Sequence, residues 1–135
     1  MFGSHVEYIG DLRTTALHLA SKKNILSDAP VDNQGKGEAF SPTDLVATAL
    51  GSCLLTIMGI KARDMKVEIK GTTALVSKVM GSTPRRISEI NITVTMANSF
   101  DQKTQKILEK AALSCPVANS LHTDLKQNID FIWPS

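Results

Sequence analysis

Cys53 and Cys115 are the only cysteines in the chain. A thiol can be a nucleophile, a metal ligand or half of a disulfide, depending on its pKa and its neighbours. His5, His18 and His122 are the other candidate bases or ligands. No pair among these five residues has the C-x₂₋₄-C or H-x₃₋₅-H spacing of a zinc site, so no metal is expected. A Ser/His/Asp hydrolase would carry a nucleophile-elbow motif, and phosphate chemistry a glycine-rich loop ahead of a helix; the sequence has neither. His122 either shares a helix face with Cys115, two turns along, or is a surface residue.

The two sulfurs sit in different settings. Ser41-Pro42-Thr43-Asp44 reads as a helix start: Ser41 caps, Pro42 suits the first turn, and Asp44 can close a capping box. That helix is expected to run to about Lys61, with Val46, Leu50, Cys53, Ile57 and Ile60 along one stripe. Leu45, Ala49 and Leu54 make it apolar nearly all round, as in a helix buried at the centre of an assembly. Gly51 and Gly59 suggest close approach of another backbone, such as a second copy of the helix. Cys53, inside this stripe, reads on its own as a small inert core residue. Cys115 precedes Pro116 and a short helix expected to reach about Leu125. Unpaired N–H groups there lower a thiol pKa, so taken singly Cys115 is the better thiolate.

The elements around them form an α+β frame. Val6 to Tyr8 and Arg13 to Leu19 read as strands joined at Gly10-Asp11, with a third around Asn24 to Leu26. Asp28 to Phe40, rich in turn formers, is a long loop. Met65, Val67 and Ile69 alternate with polar residues as a strand, followed by another to about Met80. Ile90, Ile92, Val94 and Met96 give the clearest strand pattern. An amphipathic helix follows over Asp101 to Leu113, and Ile129, Phe131 and Trp133 close the chain as a strand. This order predicts a largely antiparallel sheet around a long central helix. So small a sheet cannot cover a helix that is apolar on all sides, so a homodimer is expected.

At 135 residues, 42% apolar and 21% charged, the chain is expected to form one globular domain over residues 1–135. With 15 basic and 13 acidic residues the net charge is +2. That is too small a surplus to argue for nucleic acid or an anionic membrane as partner. Lys22-Lys23 and Arg85-Arg86 read as solvated turn positions. No apolar run reaches the ~18 residues of a bilayer span, and the N-terminus lacks signal-peptide character. The expected location is the cytoplasm, where a cysteine pair points to catalysis or metal binding rather than a structural bridge.

Ala47-Thr-Ala-Leu-Gly-Ser-Cys53 after Ser41-Pro-Thr-Asp-Leu, with Ser114-Cys-Pro-Val-Ala-Asn-Ser-Leu121, resembles the OsmC/Ohr family of osmotically inducible and organic-hydroperoxide-resistance proteins. The resemblance is closer to the OsmC-like branch. Tyr8-Ile-Gly-Asp-Leu-Arg13 and Gly35-Lys-Gly-Glu38 look like the same family. It implies an intertwined homodimer with sites at the subunit interface and no cofactor beyond an external dithiol reductant. It also implies that Cys53 attacks a small organic hydroperoxide and Cys115 resolves the sulfenic acid as a disulfide. Arg13 would then be the cation that offsets desolvation of Cys53. Ohr-type members carry a glutamate after the helix-starting proline to orient this arginine. Thr43 stands there in this sequence, leaving Glu38 and Asp44 as substitutes. The departure keeps two rivals open: a redox-sensing or ligand-binding dimer with little turnover, and a structural dimer with inert thiols.

Overall fold

Asp11 and Leu12 both adopt left-handed backbone, at φ 55° and 62°. Two such residues make the tight turn whose twist matches antiparallel strands. It joins β1 (Ser4–Gly10) to β2 (Arg13–His18), and β3 (Asn24–Asp28) pairs on the other side of β2. The register sets Arg13 directly opposite Asp28. A computed structural model describes residues 1–135, and the chain divides into two compact units, Met1–Val46 and Ala47–Ser135.

Within Met1–Val46, the segment after β3 folds back on its own strand. Asp28 N–H donates to Phe40 O at 3.0 Å, Gly37 N–H to Ala29 O at 3.2 Å, and Asn33 and Gly35 N–H both to Pro30 O. A side chain at position 35 would place Cβ 1.7 Å from Ala29 O, so only glycine fits this packed loop. The buried residues of this unit are Ser27, Asp28 and Ser41, all polar. Its large apolar side chains, among them Val6, Tyr8, Ile25 and Phe40, are exposed.

α1 (Pro42–Asp64) starts at the expected cap. Asp44 N–H donates to Ser41 Oγ and Ser41 N–H to Asp44 Oδ2, each at 3.0 Å, closing the capping box. Contrary to the expectation that no stretch reaches bilayer length, α1 is long and apolar enough to cross a membrane, by length and composition alone. Its buried positions are Ala47, Leu50, Gly51, Leu54, Met58 and Ala62. The predicted stripe is therefore displaced: of its members only Leu50 is fully buried, while Val46 and Ile60 are 38% and 53% exposed. Gly51 explains the shift, since a Cβ there would lie 2.8 Å from Val76 Cγ2. Within its own chain it meets side chains of the sheet, and Gly59 has nothing of that chain within 4 Å.

In Ala47–Ser135, β4 (Thr73–Gly81), β5 (Arg86–Thr95) and β6 (Lys126–Ile132) form a second three-stranded sheet. β4 and β5 are antiparallel, but β6 runs parallel to β5. A parallel neighbour needs a crossover, here α2 (Gln102–Leu113) and α3 (Pro116–Ser120). Ile90, Ile92, Val94 and Met96 project into the core with α1, Leu108 and Ala112.

Two predicted elements change. Met65 to Ile69 is not a strand: Val67 N–H donates to Ala62 O and Lys66 N–H to Arg63 O, with Lys66 at φ 59°. This is a Schellman stop, and it occupies the amides a ladder would need. The alternating Met65, Val67 and Ile69 nevertheless pack against the core. α3 ends at Ser120, short of Leu125.

Candidate functional site

The thiols meet within Ala47–Ser135. Cys53 lies half-buried on α1, beside the buried stripe, and Cys115 is fully buried at the start of α3. Both are free. Pro116 occupies the first helical turn, so the Cys115 side chain itself serves as N-cap, its Sγ accepting the Ala118 N–H at 3.3 Å. The geometry is the one the sequence suggests, but its electrostatic result is reversed. Burial pushes the Cys115 thiol up, the Ala118 N–H only partly opposes this, and the neighbouring Cys53 side chain pushes the same way. The Ala118 and Val117 N–H groups at the start of a five-residue helix do not outweigh loss of solvent. Cys115 is therefore held toward its protonated form, contrary to the single-residue argument.

Arg13 and Glu38 come together within Met1–Val46. The Arg13 Nη2 hydrogen-bonds Glu38 Oε1, and reaches Asp28 Oδ2 at 3.3 Å. Asp28 Oδ2 also accepts the Glu38 N–H at 2.9 Å. The Glu38 carboxylate, with Asp28 behind it, holds the Arg13 pKa above its usual value despite partial burial. The Glu38 N–H, then the guanidinium, hold the Asp28 carboxyl below the usual range. Of the two candidate carboxylates, Asp44 accepts the Ser41 N–H and Glu38 bonds Arg13.

Sequence reasoning missed Asp28. It stood at the edge of a turn-rich stretch, where an aspartate is unremarkable, and only the strand register places it opposite Arg13. His122 takes no part: α3 ends before it, and its exposed ring sits 3.8 Å from Asp124 Oδ2. No group of His, Cys, Asp and Glu is arranged to hold a metal ion. A cavity of about 530 Å³ opens between the second half of α1 and residues 67–72, bordered by Leu55, Ile60, Arg63, Val67, Ile69 and Lys70. Neither cysteine lines it.

Residues 35–130 match the family described as OsmC-like protein. The chain belongs to the OsmC-like family. Among solved structures, an OsmC-like relative from Psychrobacter arcticus 273-4 is 60% identical, with a TM-score of 0.94 over 97% of this chain and 96% of that one. That relative is described as a candidate osmotic stress induced and detoxification response protein. An OsmC-like protein from Mycoplasma pneumoniae is 16% identical at TM-score 0.82, over 100% of this chain and 98% of that one. An organic hydroperoxide resistance protein from Elizabethkingia anophelis is 14% identical at TM-score 0.76, over 99% and 98%. These two distant likenesses show the shared OsmC/Ohr fold. No curated protein matches the chain.

Proposed function

We propose that this OsmC-like protein is a thiol-dependent peroxidase that reduces small organic hydroperoxides to alcohols. The observation that carries the reading is the pairing of a half-buried Cys53 with a fully buried Cys115 that feels its side chain. An accessible thiol suits attack, and a sheltered neighbour suits resolution. The Cys53 thiolate attacks the distal peroxide oxygen; the O–O bond breaks, the alkoxide leaves and takes a proton, and a sulfenic acid forms. The Cys115 sulfur then displaces water to give the Cys53–Cys115 disulfide. An external dithiol, available in the cytoplasm, reduces the bridge and becomes a disulfide itself. No other cofactor enters this cycle.

The reading assigns Arg13 to Cys53 as the cation that favours its thiolate, with Glu38 orienting the guanidinium in place of the carboxylate missing at Thr43. It also assigns the active form to a homodimer. The support is the unsatisfied apolar surface of Met1–Val46, whose only buried residues are polar, and the exposed Val46 and Ile60 of α1.

In a test with cumene hydroperoxide and a dithiol, wild type consumes peroxide catalytically and Cys53→Ser loses at least ~1,000-fold of that rate, as for removal of a nucleophile. Cys115→Ser still oxidises once, to a trappable sulfenic acid, without forming the bridge. A wild-type rate equal to that of Cys53→Ser overturns the reading. The raised pKa of Cys115 also favours a second reading, redox sensing, in which slow resolution leaves stoichiometric oxidation without cycling.

A further inference from the structure

Asp28 is a fully buried carboxylate with no part in the thiol chemistry or the apolar core. Its Oδ2 does two things at once. It accepts the Glu38 N–H at 2.9 Å and faces Arg13 Nη2 at 3.3 Å. Its own N–H, donated to Phe40 O at 3.0 Å, ties the far end of the same loop to β3. Every internal bond of the guanidinium is made through Nη2, to Asp28 and Glu38. Nε is buried without a partner, as is Asp28 Oδ1, while the Arg13 side chain as a whole keeps 25% of its surface exposed. Two carboxylates thus grip one corner of a guanidinium that is only partly covered.

A buried ion pair is a poor device for stability alone, because desolvation cancels most of its attraction. It is a good device for holding a charge at one angle. We propose that Asp28 is a positioning residue: it pins the 29–40 loop so that Glu38 reaches Arg13, and with Glu38 it holds the guanidinium at one angle. As a role in catalysis this rests on the peroxidase reading and on Arg13 serving Cys53; the pinning of the loop stands apart from it.

The test is a double-mutant cycle on single-turnover oxidation of Cys53 by cumene hydroperoxide, with amide hydrogen exchange followed on the same proteins. An asparagine can keep an oxygen at the Oδ2 position but not the charge, and an alanine keeps neither. Asp28→Asn is expected to slow oxidation about tenfold and Asp28→Ala about a hundredfold, the range for hydrogen bonds to charged groups. In an Arg13→Gln background neither should slow it by more than about twofold, because residues acting through one another are not additive. Exchange of the Gly37 and Glu38 amides should rise at least about tenfold in Asp28→Ala, with Asp28→Asn between. Equal slowing in both backgrounds would overturn the proposal, as would unchanged exchange at Glu38. If wild type fails to oxidise at all, the peroxidase reading falls alone and the exchange series still decides the pinning. If Asp28→Ala does not fold, Asp28→Asn carries both measurements.

Discussion

The two thiols show how one residue type acquires two characters from its surroundings. Cys115 has a helix-start amide on its sulfur and is still pushed toward the protonated form, because its burial is complete. The sign of the consequence follows from that direction. A thiol whose pKa is raised by folding binds its proton more tightly in the native state. It therefore stabilises the fold below the unfolded value of about 8.5, and that contribution is lost as pH rises through the folded value. Alkylation should report both sulfurs separately. At pH 7 a small maleimide should label the half-buried Cys53 first, leaving Cys115 at least about tenfold slower. Peptide mapping after timed quenching reads the two rates. Labelling of Cys115 at the rate of Cys53 would contradict the burial described for it.

Among the elements, α1 and its flanks show what sequence pattern carries and where it stops. Ser41-Pro42-Thr43-Asp44 announces the helix start, and its two capping bonds form as the residue types dictate. The alternating Ile90, Ile92 and Val94 likewise become buried strand positions. The face of α1 was not legible, because apolar residues surround the helix and periodicity alone cannot choose among them. Gly51 makes that choice through its closeness to Val76. The stop after Asp64 was hidden for a related reason: Lys66, not glycine, takes the left-handed position, and Met65, Val67 and Ile69 imitate a strand. At the candidate site, both thiols and the Arg13–Glu38 partners were readable from motifs, but Asp28 was not, since its meaning comes from register across β2 and β3. Gly51→Ala tests the packing. Helix propensity alone favours alanine by about 1 kcal/mol, yet the new methyl would press on Val76, and overpacking costs about 1–3 kcal/mol. The net effect should be a lower melting temperature, while Ser41→Ala should cost about 1 kcal/mol as a lost cap. A stabilised Gly51→Ala would mean that α1 does not lie on β4 as described.

For the whole molecule, the decisive feature is where burial is missing. The β1–β3 unit exposes Val6, Tyr8, Ile25 and Phe40 and buries only Ser27, Asp28 and Ser41. Burying apolar area is worth about 25 cal/mol per Å², and a sheet that buries no large apolar side chain lacks the main force that would keep it folded. On α1, the exposed Val46 and Ile60 add to the same deficit. A second copy of the chain, as in the homodimer proposed above, would cover this surface. Stability would then depend on concentration, because subunit association favours only the folded form. The melting temperature should therefore rise with protein concentration, and sedimentation should give twice the chain mass of 14.6 kDa. Ile60→Asp introduces a charge at a 53% exposed position, where a monomer would tolerate it within about 0.5 kcal/mol. In the dimer it should lower the melting temperature and shift the sedimenting species toward monomer. A variant as stable as wild type at every concentration would show that this face of α1 stays in water.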